Sequence, residues 1–415
     1  MSNYGKLTIV GSSKLEASLS LVLDNIAKNI QQRIDENLYE AVILIGGYGR
    51  GEGGVVIIDN VEFPHNNFDF LVISKTISKD KEELLETQLS NIFNKHTKAI
   101  NIEVEFSIMS SKKLKNMQPL VITYDMKYGH KLIVGDASVL VNNKNFELDT
   151  IPAWDIRNLM VNRGTLLIIN DLMLEKGDLS NSEKKIIIKH FIKAIIGYGD
   201  ALLFHLGSYH YSYVQKNKLM EQQYGVEKKF KKLYKEAMEF RFSPNYEIYL
   251  SYDLIDMQKE IKKMLQDIHM LCEKLSQKNT NMNWGNHVGI VLNNFLYENL
   301  GIKDILRKAY NLTKTMPNLS TLSIFDNIKF KSAGFRGMMP ILFPYVLFDI
   351  NNKKVEKILE DFFELNNSDD TIESIFNLFS HDDINKYKSA YLSYWKKYIN
   401  NNFVKEDYGL EERVS

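Results

Sequence analysis

The first part of the chain switches between helical and strand-like spacing of its apolar residues. Leucine, isoleucine and valine recur at helical spacing over 15–36 and over 79–95, which predicts two amphipathic helices. Shorter apolar runs predict strands at about 40–46, 68–73 and 100–109. Strands that alternate with helices in this way predict a mixed sheet backed by helices.

The third predicted strand has the clearest alternation of apolar and polar residues. Ile102, Val104, Phe106 and Ile108 fall on one face, and Glu103, Glu105 and Ser107 fall on the other. Because successive side chains of a strand point to opposite faces, both glutamates leave the same side of the sheet, about 7 Å apart along the strand.

Helical periodicity dominates from Pro152 to the end of the chain. The spacing predicts helices over 154–174, 182–206, 226–241, 246–277, 284–299, 303–315, 353–365, 370–378 and 383–400. Most prolines fall between these segments, as expected for a residue that interrupts helices. Residues 316–350 have no clear periodicity, and we predict a long irregular connection there.

These patterns predict an α+β domain followed by a large all-α region. We place the α+β domain at residues 1–150, a first helical domain at 151–315 and a C-terminal helical region at 316–415. A chain of 415 residues is long enough for two or three domains.

The candidate chemistry lies between the first two predicted strands. The apolar run that ends at Ile45 is followed by Gly46 and Gly47, and the second strand carries Asp69, with Asn67 two residues before it. Glycines let backbone N–H groups approach phosphate oxygens, and carboxylates on an adjacent strand hold the cation that phosphates also bind. This arrangement indicates a site for a nucleoside triphosphate and a metal ion.

These residues resemble the active-site signature of the polymerase-β-like nucleotidyltransferase superfamily. The matching residues are Gly46, Gly47, Arg50, Gly51, Glu52 and Asp69, followed by the strand Asn101 to Ile108. The Ile-Glu-Val of that strand looks like the third-carboxylate strand of the aminoglycoside nucleotidyltransferase branch. The resemblance covers roughly residues 40–136. It implies the nucleotidyltransferase fold, two Mg²⁺ ions, and transfer of a nucleoside monophosphate from an NTP to a small-molecule hydroxyl or amine with release of pyrophosphate.

The resemblance also assigns roles to the acidic residues. Asp69 would bridge both metal ions and Glu103 would be the third carboxylate, with Glu105 as the substitute. Asn67 stands where the family has its first carboxylate, and it carries no charge. Two explanations stay open: an engineered change that traps substrate, or a natural residue in a protein that is weakened, inactive or compensated by Glu105.

The resemblance also assigns roles to two glycines and one arginine. Gly46 and Gly47 would lie under the β- and γ-phosphates. Arg50 would either clamp a phosphate or pair with Glu52 and fasten the loop.

The helix predicted over 182–206 adds three candidate residues. By resemblance, Lys193 and Tyr198 would contact the triphosphate, and this helical domain would complete the cleft for nucleotide and acceptor. Asp200 lies among apolar residues and would be a general base for the acceptor, or else a buried aspartate satisfied by a neighbouring helix end.

The composition of the chain limits the classes of substrate and site that we expect. The 52 basic and 52 acidic residues balance, so no net field attracts nucleic acid, which favours a small-molecule or protein substrate. A small-molecule acceptor is our first choice, and a protein side chain or an RNA end is the second. The single cysteine, Cys272, excludes an intramolecular disulfide and a cysteine-based zinc site. The sequence has no recognisable signal peptide or membrane span, so we expect a cytoplasmic protein. The NTP base, the acceptor and the oligomeric state stay open, as do a non-catalytic NTP-binding protein and a helical scaffold with a vestigial sheet.

Overall fold

The computed structural model describes residues 3–297, 302–313, 319, 322–363 and 383–398. The contacts between residues divide the chain into two compact units. Unit 1 consists of residues 1–156 and 207–245, and unit 2 consists of residues 157–206 and 246–415. Each unit is therefore built from two separate segments of the chain.

Unit 1 is organised around a small mixed sheet. Its strands are β1 Tyr39–Ile45, β2 Gly54–Ile58, β3 Val61–His65, β4 Phe68–Ser74, β5 Val104–Ser110 and β6 Lys131–Gly135. Four of them form the main sheet in the order β5-β4-β1-β6, and β2 and β3 form a separate hairpin. β4 and β5 are parallel, whereas β1 is antiparallel to both β4 and β6.

Unit 1 has helices from both of its segments, and those of the first segment cover both faces of this sheet. They are α1 Ser13–Arg33, α2 Gly46–Arg50, α3 Lys79–Thr97, α4 Ser111–Lys115, α5 Val121–Tyr128 and α6 Ser138–Val141, together with α9 Tyr213–Gln222 and α10 Lys228–Phe242 from the second segment. Val42 and Phe70 pack in one cluster with α1 and α3, and Ile43 and Leu71 pack in another with α4, α5 and α6. The central strands are buried on both faces, which explains their continuous apolar sequences.

Unit 2 is helical throughout its described part. Its helices are most of α7 Ala153–Leu174, then α8 Asn181–His205, α11 Tyr246–Leu250, α12 Leu254–Ser276, α13 His287–Tyr297, α14 Ile302–Leu312, α15 Ile324–Leu347, α16 Lys353–Phe362 and α17 Asp383–Tyr398. Arg157 of α7 donates hydrogen bonds of 2.7 and 2.9 Å to the buried carboxylate of Glu273 in α12. In the described residues, no helix has both the length and the apolar content needed to cross a membrane.

In the residues that the structure describes, the α+β class predicted for the N-terminal part and the helical class predicted for the rest are both confirmed. The helices predicted over 154–174, 182–206 and 226–241 match α7, α8 and α10 closely. The third strand begins at Val104 rather than near residue 100, because residues 98–100 form a 3₁₀ turn. The helix predicted over 370–378 lies outside the described residues.

Other elements differ from the prediction. The short strands β2, β3 and β6 and the helix α9 were not predicted, and the helix predicted over 246–277 is interrupted between α11 and α12. The irregular connection predicted over 316–350 is wrong, since α15 occupies most of it. Gly334 kinks this helix, and Pro340 and Pro344 lie inside it.

The predicted division into 1–150, 151–315 and 316–415 also differs from the division found here. The predicted boundary at residue 150 lies close to residue 156, where the first segment of unit 1 ends. Residues 207–245, however, belong with the sheet, and the described residues on both sides of position 315 belong to one unit.

Candidate functional site

The turn after β1 places Gly46 directly against Asp69. Antiparallel pairing sets Ile45 opposite Asp69, so the carboxylate lies beside the first residue of the turn. Gly46 has a φ of 68°, and any side chain there would collide with the Asp69 carboxylate. Position 46 therefore requires glycine. Other residues are strained at this φ, and the Asp69 carboxylate leaves no room for a Cβ atom.

Asp69 carries a carboxylate that is mostly buried and has no hydrogen bond from any residue that the structure describes. Burial raises the pKa of this carboxyl from its ordinary value of 3.8 to about 6, although the guanidiniums of Arg241 and Arg50 act in the opposite direction. A buried carboxylate normally has hydrogen-bond donors or a cation beside it. Asp69 is therefore suited to bind a cation.

The other acidic residue at this position is Glu105 on β5. Parallel pairing sets Asp69 opposite Glu105, and the two residues share a face of the sheet. The Asn67 amide donates a hydrogen bond to the Glu105 carboxylate. The structure thus brings Asn67, Asp69 and Glu105 together.

Glu103 lies just before the paired part of β5. Its backbone carbonyl accepts a hydrogen bond of 2.9 Å from Phe68, and its side chain is exposed, as that of Glu105 also is. The register between the two strands therefore favours Glu105, the substitute, over Glu103, the first choice from the sequence, as the partner of Asp69.

These side chains carry oxygen atoms of the kind that a magnesium ion shared with phosphates would take as ligands. Asp69 and Glu105 supply two carboxylates, and Asn67 supplies a neutral amide. Within the described part of the chain, no group of three or more His, Cys, Asp or Glu residues is arranged to hold a metal ion. Mg²⁺ is commonly held by one or two carboxylates together with substrate phosphates, so two carboxylates meet its needs when a nucleotide supplies the rest.

Arg50, at the end of α2, is close to two carboxylates but is hydrogen-bonded to neither. Its Nε lies 3.7 Å from Glu52, its Nη1 lies 3.9 Å from Asp125, and its Nε is buried without a hydrogen-bond partner in the described chain. Glu52 instead accepts hydrogen bonds from the Ser212 hydroxyl (2.5 Å) and the Tyr213 backbone N–H (2.9 Å) at the start of α9. Arg50 thus has a long ion pair with Glu52, as the second alternative requires, and its buried Nε–H donates to no residue that the structure describes. The phosphate clamp stays a prediction.

Arg241, at the end of α10, was not predicted as a site residue. A Cβ atom on Gly47 would lie 3.8 Å from Arg241 Nη2, so this guanidinium borders the glycine turn. Nothing in the local sequence distinguishes Arg241 from the other basic residues of a charged helix. The aromatic stretch Tyr209–Tyr213 is a feature of the sequence that could have indicated it, because its last residue contacts both Arg50 and Arg241.

The residues predicted on the helical side belong to unit 2. Tyr198 is completely buried, and its hydroxyl lies 3.2 Å from His269 Nδ1. Asp200 is also buried, and Lys193 is partly exposed on the same helix, α8. Burial agrees with the packing alternative that the sequence left open for Asp200. A role for these three residues in nucleotide or acceptor binding stays a prediction.

Comparisons with protein-family models, with curated proteins and with solved structures find no match to this chain. Any function must therefore be argued from the geometry of unit 1 and from the resemblance in its motifs.

Proposed function

We propose that the protein is a magnesium-dependent nucleotidyltransferase whose unit 1 has the nucleotidyltransferase fold. It would transfer a nucleoside monophosphate from an NTP to a hydroxyl or amine of a small-molecule acceptor and release pyrophosphate. The observation that supports this most is the mostly buried carboxylate of Asp69, which has no hydrogen bond in the described chain and lies opposite Glu105 beside a glycine turn bordered by two arginines.

Each part of this site has a task in the reaction. The acceptor oxygen or nitrogen forms a bond to the α-phosphorus, while the bond from that phosphorus to the pyrophosphate oxygen breaks. Asp69 and Glu105 would hold the magnesium ions, which when bound neutralise charge on the triphosphate. Gly46 and Gly47 would let the triphosphate approach the backbone, and the arginines would balance the charge of the departing pyrophosphate. The acceptor gives up its proton to a base, for which Asp200 stays the candidate from the sequence.

A second candidate is a protein that binds NTP without turning it over. Asn67 stands in the place of a charged metal ligand. Its amide nitrogen also donates a hydrogen bond to the Glu105 carboxylate, which competes with metal binding there. Such a metal site has one negative charge fewer, and its Glu105 carboxylate is hydrogen-bonded to Asn67. It would bind NTP more readily than it would catalyse transfer. A protein or RNA acceptor is a further alternative, although the balanced net charge disfavours RNA.

Pyrophosphate release tests the proposal. The full chain would be incubated with Mg²⁺, each of the common NTPs and a panel of aminoglycosides, sugars and other hydroxyl or amine acceptors. We expect release that depends on the acceptor, disappears in Asp69→Asn and increases in Asn67→Asp, because the aspartate restores a charged ligand and frees Glu105.

Two other outcomes decide between the alternatives. Tight NTP binding without pyrophosphate release, in both the wild-type chain and Asn67→Asp, would favour the non-catalytic protein. Absence of NTP binding by calorimetry, together with absence of release, would contradict both candidates.

A further inference from the structure

Three cations surround the ring of Tyr213, the first residue of α9. The guanidinium carbons of Arg241 and Arg50 lie 4.4 and 4.6 Å from the ring centroid, and the Lys216 ammonium lies 4.7 Å from it. Attraction between a cation and an aromatic face stabilises such contacts, but each added cation repels the others. The positions of both arginines therefore depend on where Tyr213 is held.

Neither arginine has its hydrogen bonds satisfied. The Nε atoms of Arg50 and Arg241 are buried without a hydrogen-bond partner in the described chain. A buried charged donor that is left unpaired is costly, so such groups usually have an anion as partner.

The nearest carboxylates do not fill this need. Glu52 accepts hydrogen bonds from the Ser212 hydroxyl and from the backbone at the start of α9. Asp125 accepts one of 3.1 Å from the Tyr209 hydroxyl and stays 3.9 Å from Arg50. An anion from outside the chain would satisfy both guanidiniums.

The position of this pair indicates which anion. Arg241 borders Gly47, and the adjacent Gly46 is in contact with Asp69. A ligand bound by both arginines would thus lie next to the carboxylate that is suited to a cation. Guanidinium groups bind phosphate oxygens through parallel hydrogen bonds, and two of them suit a ligand with more than one phosphate group.

We propose that Arg241 and Arg50, arranged around Tyr213, form a binding site for a polyphosphate chain, with Arg241 as the residue that fixes its position. This inference rests on the proposed function, in which the ligand is the β- and γ-phosphates of the NTP and then the pyrophosphate product. Glu52 acts in it as a positioning residue, because it holds the start of α9 and thereby the ring of Tyr213.

Binding of inorganic tripolyphosphate to the full chain tests the site without requiring catalysis. Calorimetry without divalent cations should show that Arg241→Gln weakens binding at least tenfold, while Arg241→Lys keeps part of the affinity because the charge remains without the paired hydrogen bonds. The control is Lys232→Gln on the same helix, whose side chain is 78% exposed and forms only a surface ion pair with Glu236 in the described structure. It should bind as the wild type does.

Glu52→Gln separates positioning from simple electrostatics. Removal of a negative charge near an anion site would by itself strengthen binding. If Glu52 positions Tyr213, this variant should instead bind tripolyphosphate several-fold more weakly, and tighter binding would overturn its positioning role.

The two proposals fail in different ways. Equal tripolyphosphate affinity in wild type and Arg241→Gln, with unchanged circular dichroism, would overturn the polyphosphate site. Loss of binding in Arg241→Gln, in a protein that never releases pyrophosphate from any NTP, would support the site and contradict the nucleotidyltransferase. Should Arg241→Gln not fold, Arg241→Lys and Tyr213→Leu provide the same comparison.

Discussion

At the scale of single residues, the Asp69 carboxylate is mostly buried and accepts no hydrogen bond from the residues that the structure describes. This combination has a measurable cost in folding stability. Its pKa is raised from 3.8 to about 6, so the folded state holds the proton more tightly than the unfolded state does. Folding stability is therefore lost as pH rises through the window from about 4 to 6, unless a cation compensates.

We predict that Asp69→Asn stabilises the chain at pH 7.5, without divalent cations, by on the order of 1–3 kcal/mol. Below about pH 3, the aspartate is largely protonated in both states, and the difference should nearly vanish. Urea unfolding at the two pH values measures this. Asp59→Asn, at an exposed hairpin turn, is the control and should change little at either pH. A destabilised Asp69→Asn at pH 7.5 would mean that the carboxylate has a protein partner.

The register of β5 leads to a second prediction at this scale. Glu105→Gln should lower the affinity for Mg²⁺–NTP, and any turnover, at least tenfold, because it removes the carboxylate opposite Asp69. Glu103→Gln should stay within a few-fold of wild type. Calorimetry and pyrophosphate release measure the two effects separately. The reverse order would restore Glu103 as the metal ligand that the sequence favoured.

The residues that sequence reasoning found and those it missed differ in sequence separation. Gly46, Gly47 and Asp69 form a local pattern of strand, turn and strand, so they could be identified directly. The partners of Glu52 lie 160 residues and more away, and Arg241 is further along still. No local spacing reports such contacts. The choice between Glu103 and Glu105 could not be made from the sequence for a related reason, since alternation gives the face of a strand but not its register.

At the scale of elements, the turn from β1 into α2 is defined by Gly46. An alanine there would need a positive φ and would also collide with the Asp69 carboxylate. We predict that Gly46→Ala destabilises the chain by about 3 kcal/mol or more. Gly225→Ala is the matched control, because it has a φ of 84° and nothing within 4 Å of its Cβ position. It should cost only about 1 kcal/mol.

Thermal and urea unfolding compare the two variants, and a double mutant identifies the cause. In an Asp69→Ala background, the cost of Gly46→Ala should decrease because the carboxylate is gone. Equal costs for Gly46→Ala and Gly225→Ala would show that the collision is relieved by small movements of the turn.

Length and burial decide which elements could be predicted. Amphipathic helices such as α1 and α3 have one buried face, so their periodicity is visible. Strands β2, β3 and β6 have five residues each, which is too short for alternation to stand out. Beyond its kink, α15 is buried on nearly all sides, so its apolar residues show no helical periodicity. Its two prolines suggest a break in the helix, but tertiary packing overrides that preference.

At the scale of the whole molecule, each unit is assembled from two segments of the chain. The sequence predicted boundaries between consecutive regions, because changes of composition and periodicity are visible only along the chain. The helix predicted over 226–241 has the same periodicity as the helices predicted on either side of it, so nothing local separates residues 207–245 from their neighbours. Their membership of unit 1 follows from tertiary contacts, including those of Glu52 with the start of α9 and of α10 with β2.

This discontinuity gives the last prediction. A fragment of residues 1–150, the domain predicted from the sequence, should not unfold cooperatively, because it lacks α9 and α10 and leaves the carboxylate of Glu52 without its donors. Residues 1–156 joined to 207–245 should fold. A flexible Gly/Ser linker of about 20 residues has a root-mean-square span of roughly 25 Å, which allows the two segments to meet.

Far-UV circular dichroism during urea unfolding, together with amide NMR dispersion, would distinguish these cases. The fragment 1–156 is the control for the few added residues and should behave like 1–150, because it also lacks α9 and α10. If residues 1–150 alone unfolded cooperatively, with the midpoint of the joined version, α9 and α10 would contribute nothing to the stability of unit 1. Tripolyphosphate binding by the joined version, which contains both Arg50 and Arg241, would further show that the polyphosphate site is complete within unit 1.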